Sequence, residues 1–138
     1  MTNWHVMLGD QDCQGDVDAQ LAYSATSPRW SLPARHYTRT ETWGDETISE
    51  FFYIDTGPYI LEYLRRPAVR AQGQDKQRQI DRLERALASS KAAWKIVVGH
   101  NQLFTVTGQK EPGTGQKHDF SEMIGPFKPL FDRYGVRA

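Results

Sequence analysis

The chain has 138 residues, and its content of 38% hydrophobic and 12% aromatic residues excludes a disordered chain and fits one domain spanning residues 1–138. Its 17 basic residues balance its 17 acidic residues, so the charge indicates neither a nucleic-acid nor an anionic-membrane partner. The single cysteine, Cys13, excludes a disulfide within the chain and a cysteine-based zinc site.

Signals for a membrane or for export are not visible in the sequence. No apolar run approaches the roughly 20 residues of a membrane-spanning helix. Met1–Asn3 begin neither a basic nor an apolar signal-peptide region. We therefore assign no localisation and no oligomeric state from the sequence.

The first third predicts a strand, a polar turn and a helix. Trp4–Leu8 is typical of a short buried strand, which Gly9 ends. The turn Asp10–Asp12 follows, and Asp16 is placed to cap the next helix. Ser27-Pro28 ends that helix, because proline disfavours the α conformation in the preceding residue.

The middle of the chain predicts a β-hairpin. Tyr37–Trp43 and Ile48–Asp55 are rich in aromatic and β-branched residues and are separated by a short turn. Residues 59–74 show no clear period, and we expect them to cross the surface.

The second half predicts two helices and one strand. The clearest helix is Gln74–Trp94, whose apolar residues recur at steps of three, four and seven. Lys95–Val98 is a short buried strand, and Gly108–Asp119 is a long loop. The last helix begins to be regular near Pro126 and ends at Gly135.

This alternation of strands and helices predicts an α/β fold, with polar residues after two of its strands. Asp10, Gln11 and Asp12 follow the first strand, while His100 and Asn101 follow the strand Lys95–Val98. Parallel strands would bring both groups to one rim of the sheet, where they suit a metal ion and a phosphate ester. The competing interpretation is that these residues are turn formers, caps and a structural histidine.

Residues 4–30 resemble the region around the Gly-Asn-His-Asp motif of the purple acid phosphatases. The similarity is greatest to the small tartrate-resistant type, within the metallophosphoesterase (calcineurin-like phosphoesterase) superfamily. It continues to the second half of the chain, where Ile54–Thr56 is similar to a Leu-Asp-Thr strand end and Ile96–His100 to a strand with a Gly-His motif. Further shared positions are Gly15, Ala19, Gln20, Ala22, Tyr23, Ser24, Ser27, Arg29, Trp30, Pro33, Leu130, Tyr134, Gly135 and Val136.

The resemblance implies part of a four-layer αββα sandwich with a dinuclear metal centre, in which iron is paired with iron, zinc or manganese. It also implies hydrolysis of phosphate monoesters. Members of the family are often secreted or lysosomal.

Residue by residue, the implied site is altered. Asp10 stands at the family's asparagine ligand, and His100 stands at the histidine ligand of the Gly-His motif. Gln11 replaces the histidine that helps to protonate the leaving group, and an amide cannot exchange a proton near neutral pH. Asp12 matches the aspartate that orients that histidine.

The remaining ligands of the family belong to motifs that fall outside these 138 residues, together with the N- and C-terminal strands of the sandwich. We therefore expect a partial metal site and little or no activity from this chain alone. Two functions stay open: a piece of a metal-dependent acid phosphatase, or a non-catalytic remnant or pseudoenzyme that acts as a binding module.

Other polar or reactive side chains have simpler interpretations. We expect His5 and His36 to be structural, Cys13 to be packed, and the following to be solvated: His118, Asp119, Arg65, Arg66 and Arg70.

Overall fold

The computed structural model describes residues 2–66, 73–103 and 121–136. Within these ranges the chain alternates between strands and helices, which confirms the predicted α/β class. In chain order the elements are β1 (Trp4–His5), α1 (Asp10–Gln14), α2 (Val17–Tyr23), β2 (Trp30–Ser31), β3 (Tyr37–Trp43), β4 (Glu46–Tyr53), a 3₁₀ turn (Gly57–Tyr59), α3 (Leu61–Arg65), α4 (Lys76–Ser89), β5 (Trp94–Val98) and α5 (Ser121–Tyr134).

The described strands form two sheets. β1 and β2 are a short parallel pair, with Trp4 opposite Trp30. β3 and β4 form the predicted antiparallel hairpin, and β5 adds to β4 in parallel. Gly44 forms the hairpin turn with φ of +58°, a conformation that glycine adopts without a steric penalty.

The first predicted strand is shorter than its apolar run. β1 ends at His5, and Val6 makes one further bond by donating its N–H to the carbonyl of Ser31 at 3.0 Å. Leu8 lies outside any strand and is buried with Val17 and Leu32. Burial in this small cluster, rather than strand pairing, therefore explains the apolar run.

The predicted helix Gln74–Trp94 was placed too long. α4 begins after Asp75, whose carboxylate accepts from the N–H of Arg78 at 2.9 Å, and ends at Ser89. Trp94, predicted on its apolar face, instead opens β5 opposite Ser49 and is 54% exposed. Pairing with β4 outweighs the helical spacing of this tryptophan.

The last helix starts at Ser121, the residue predicted to cap it, but it is regular throughout and not only from near Pro126. α5 runs unbroken from Ser121 to Tyr134 and contains both Pro126 and Pro129. Met123 and Phe127, one turn apart on either side of Pro126, are fully buried. Their burial holds the helix together across the proline, and Gly135 ends it with φ of +67°, as predicted.

The main hydrophobic core lies between the three-stranded sheet of β3, β4 and β5 and the helices α4 and α5. Its buried members are Phe52, Ile54, Tyr59, Ile60, Leu83, Leu87, Met123, Phe127 and Leu130. No helix in the described part of the chain is long and apolar enough to cross a membrane. The predicted loop Gly108–Asp119 lies outside the described residues.

Candidate functional site

The predicted acidic turn is in fact the first turn of the five-residue helix α1. Gly9 is its N-cap, and the Asp12 carboxylate accepts from the N–H of Gly9 at 2.9 Å. The Asp10 carboxylate accepts from the N–H of Gln11 at 2.8 Å. Carboxylates suit this position because they satisfy free N–H groups at a helix start. The side chain of Gln11 is exposed.

Asp10 and His100 meet as predicted, but not at the rim of one sheet, because β1 pairs with β2 and β5 belongs to the sheet of β3 and β4. Nε2 of His100 lies 3.3 Å from Oδ1 of Asp10, and their side chains are 38% and 34% exposed. Gly9 makes this approach possible, since a Cβ there would lie 3.1 Å from Nδ1 of His100. The end of β5 and the start of α1 therefore form one solvent-accessible site.

The segment after β5 is held down by a buried network that the sequence interpretation missed. The hydroxyl of Thr56 donates to the side-chain oxygen of Asn101 at 2.7 Å and accepts from its backbone N–H at 3.3 Å. The amide of Asn101 also donates to the hydroxyl of Tyr63 at 3.3 Å. Asn101 therefore anchors the segment that carries His100. In the sequence, the turn residues 55–58 (Asp-Thr-Gly-Pro) after a strand were the feature that could have indicated this network.

Gly99 is the tightest point of this segment. A Cβ at Gly99 would lie 3.0 Å from Cγ2 of Thr56 and 3.1 Å from Cγ1 of Ile54, both in buried residues.

We expect the substitution Gly99→Ala to destabilise the chain by about 1–3 kcal/mol, because the added methyl group overpacks a buried contact. The control is Lys91→Ala, at an exposed position outside the helices and strands, which is expected to change stability by less than about 0.5 kcal/mol. Urea unfolding curves measure both changes. Equal effects of the two substitutions would contradict the tight approach at Gly99.

The 3.3 Å between Nε2 of His100 and Oδ1 of Asp10 fits a direct ion pair and also fits two ligands of one metal ion. Ligand atoms at about 2.1 Å from a common metal lie roughly 3.0–3.4 Å apart for octahedral to tetrahedral angles. However, no cluster of three or more histidine, cysteine, aspartate or glutamate side chains suited to a metal occurs among residues 2–66, 73–103 and 121–136. A catalytic zinc usually has about three protein ligands. The described residues therefore fit one metal position in part and do not complete a dinuclear centre.

A buried carboxylate, that of Asp55, lies two residues after the end of β4. One of its oxygens accepts from the N–H of Gly57 at 3.1 Å, and the other lies 3.7 Å from Nη1 of Arg35. With its amide oriented to suit both neighbours, Gln74 donates to Asp55 and accepts from Arg35, each at 3.2 Å. Burial nevertheless raises the pKa of Asp55 above its ordinary value. This residue ties β4 to the segments before β3 and α4.

The other residues singled out in the sequence have the following environments where the structure describes them. Cys13 is buried, and burial raises the pKa of its thiol to about 11, so it is a packing residue as expected. His5 and His36 have lowered pKa values, in each case chiefly because of burial. Arg65 and Arg66 are exposed. Arg70, His118 and Asp119 fall outside the described residues.

Comparison with known proteins gives consistent relatives over most of the chain. Purple acid phosphatase 17 of Arabidopsis thaliana is 29% identical over 141 residues, which cover 96% of this chain and 38% of that protein. Purple acid phosphatase 4 of the same plant is 32% identical, and the match covers 72% of this chain and 31% of that protein. Tartrate-resistant acid phosphatase type 5 of Oryctolagus cuniculus is 29% identical, and the match covers 98% of this chain and 41% of that protein. No protein-family model matches the chain.

A solved structure shares the fold. GAP50, the anchor in the inner membrane complex of Plasmodium, superimposes with a TM-score of 0.61 at 20% sequence identity. The match covers 94% of this chain and 39% of that one.

The fold, the approach of His100 to Asp10 and the relatives together define the class of protein. It is an α/β protein that shares its fold with GAP50. More narrowly, the chain is a relative of the purple acid phosphatases, as the sequence resemblance predicted, and it spans 31–41% of the length of the relatives named above.

Proposed function

We propose that the chain, as one domain, contributes to a metal-dependent acid phosphatase that hydrolyses phosphate monoesters. The observation that supports this function best is the approach of His100 to Asp10 at 3.3 Å, at the two positions that match the family's ligand motifs. In this proposal Asp10 and His100 hold one metal of an iron–iron, iron–zinc or iron–manganese pair. A metal ion at this position would neutralise charge on phosphoryl oxygens.

The roles of the two neighbouring residues follow from their chemistry. Gln11 is exposed beside Asp10, and its amide can hydrogen-bond to a phosphate without exchanging a proton. Asp12 accepts from the N–H of Gly9 and thereby fixes the backbone that presents Asp10. We therefore place the phosphate next to Gln11 and Asp12, with Gln11 as a binding group rather than an acid.

The ligand pair is tested by metal titration of the chain. Zn²⁺ added to the protein is expected to shift the imidazole NMR signals of His100, and His100→Ala or Asp10→Ala is expected to weaken binding at least about tenfold, since each removes one of two ligands. Asp45→Ala, an exposed carboxylate in the hairpin turn, is the matched control and should change nothing. Equal affinity in all variants would contradict the assignment of the pair.

Activity is tested separately. With added iron, zinc or manganese at acid pH, we expect this chain to show no turnover of a generic phosphate monoester above the buffer rate. The reason is that the described residues supply two ligands where a catalytic zinc usually has about three. Metal-dependent turnover that His100→Ala abolishes would overturn this expectation while confirming the ligand.

A second candidate function is a non-catalytic binding module of the same fold. It is favoured by Gln11, which stands where the family has a proton-transferring histidine. We expect Gln11→His to restore no turnover in this chain, because the number of metal ligands is unchanged. Recovered turnover would instead identify the glutamine as the main defect.

A further inference from the structure

A cavity of about 260 Å³ lies between the start of α4 and the segment that precedes β3. Its charged and titratable lining consists of Arg35, His36, Asp75, Lys76, Arg78 and Arg82. Neither Asp10 nor His100 lines it. The cavity is thus a feature distinct from the proposed metal position.

The charges around this cavity are unbalanced. Four side chains are permanent cations, whereas the carboxylate of Asp75 is occupied in capping α4 through the N–H of Arg78. Arg35 has carboxylate neighbours, at 3.7 Å in Asp55 and 3.9 Å in Asp18. In the described part of the chain, Arg78 and Arg82 make no ion pair. Within the described residues, Arg78 and Arg82 therefore line this cavity without an ion-pair partner, and the carboxylate in the lining is that of Asp75.

The positions of these two arginines are unfavourable for the isolated helix. Arg78 and Arg82 are four residues apart on α4 and so lie on one face. Like charges at this spacing destabilise a helix by roughly 0.2–0.5 kcal/mol. The positive end of the helix dipole adds to the same field. A bound anion would remove this repulsion.

The pKa of His36 responds to the positive charges around the cavity. Burial is the first cause of its lowered pKa, and the charges of Arg82 and Arg78 are the next. The lowered pKa favours the neutral imidazole, which can donate or accept a hydrogen bond in the lining of the cavity.

We propose that this cavity binds a phosphate group, either free or as a small monoester, with Arg78 and Arg82 as its principal ligands. Guanidinium groups match phosphate oxygens in paired hydrogen bonds. The volume is just below the range of about 300–1,000 Å³ typical of ligand pockets, which favours a small anion. A smaller cavity of about 80 Å³ shares His36 and Arg82 and is lined by Tyr37 and Tyr53, so a monoester could place an apolar group there.

Inorganic phosphate is the first probe, titrated into the full chain with EDTA present and the ionic strength held constant. We expect saturable NMR shifts in the backbone amides of residues 75–82. The double substitution Arg78→Gln with Arg82→Gln is expected to lower the affinity at least about tenfold, since it removes both guanidinium groups. Because it also removes a repulsive pair, this variant should melt no earlier than the parent chain.

Two controls define the site. Arg85→Gln changes an exposed arginine of the same helix that does not line the cavity, and it should leave the affinity unchanged. Lys91→Gln, which changes an exposed cation that does not line the cavity, should also leave it unchanged. Equal affinity in the double variant, a loss in either control that equals the loss in the double variant, or no saturation would each overturn the proposal.

Phenyl phosphate distinguishes the two sources of the anion. Tighter binding than inorganic phosphate, with new shifts at Tyr37 and Tyr53, would assign the cavity to a monoester. Equal binding would assign it to free phosphate. Either result supports a phosphate site, provided that the double variant weakens it.

Discussion

The substitution Phe127→Ala is expected to lower the free energy of unfolding by about 3–5 kcal/mol. Phe127 is fully buried in α5 and packs edge-on against Tyr59, with ring centroids 4.7 Å apart. It also stacks on Phe131 at 6.0 Å. Alanine would leave a cavity at the junction of α5 with the main core, and the loss would be a large fraction of a typical stability of about 5–15 kcal/mol. Urea unfolding followed by circular dichroism measures it.

A matched control is available in the hairpin turn. Trp43 is 80% exposed, so Trp43→Ala should change the free energy of unfolding by less than about 0.5 kcal/mol. If Phe127→Ala leaves too little folded protein to measure, Phe127→Leu should show a smaller loss in the same direction. Comparable values for the Trp43 and Phe127 variants would show that α5 does not pack on this core.

The substitution Asp55→Ala is expected to cost about 3 kcal/mol at neutral pH, the lower end of the range for removing one partner of a buried ion pair. Only 1% of Asp55 is exposed, and its carboxylate accepts from the N–H of Gly57 and faces Arg35. Alanine would leave the buried N–H of Gly57 without its acceptor and would leave Arg35 only Asp18 and the amide oxygen of Gln74. The melting temperature and the urea midpoint should both fall.

Arg35 offers the control for this prediction. Its second carboxylate neighbour, Asp18, lies 3.9 Å away with its side chain 89% exposed. An exposed pair contributes at most about 1 kcal/mol, so Asp18→Ala should have a small effect. A loss as large as that of Asp55→Ala would place the stabilising contact on the surface rather than in the core.

The same carboxyl gives a pH dependence with a definite sign. Burial raises the pKa of Asp55 above its ordinary value of 3.8, so the native state holds this proton more tightly than the unfolded state does. The resulting stability is fully present below 3.8 and is lost as the pH rises through the folded-state pKa. Asp55→Asn should therefore gain stability relative to the parent chain as the pH rises from about 4. A constant difference between the two proteins across that range would show that the pKa is not raised.

Local patterns predicted the elements whose residues agree with their surroundings. Tyr37–Trp43 was placed with its observed bounds, because its aromatic and β-branched residues suit a paired strand. The N-cap at Asp16 was also correct, and its carboxylate accepts from the N–H of Ala19 at 3.1 Å. These features depend on neighbours only a few residues away.

The predicted ends of helices and strands were wrong where contact with a residue far along the chain decides the end. Trp94 fits the helical spacing of α4 but pairs with Ser49, and Leu8 fits a strand but is buried against Val17 and Leu32. Pro126 predicts a helix break, yet buried residues on both sides keep α5 intact. Periodicity does not show which of two competing partners a residue meets.

The sequence by itself determined the α/β class and the similarity to the purple acid phosphatases, because these depend on local patterns and on short motifs. It also predicted that Asp10 and His100 meet, but from strands of one sheet, whereas β1 and β5 belong to different sheets. Only the tertiary structure showed that Asp12 caps α1, that Asn101 anchors the segment carrying His100, and that Arg78 and Arg82 face one cavity. Those relations join residues through a folded core, and no local pattern records which side chains the core brings together.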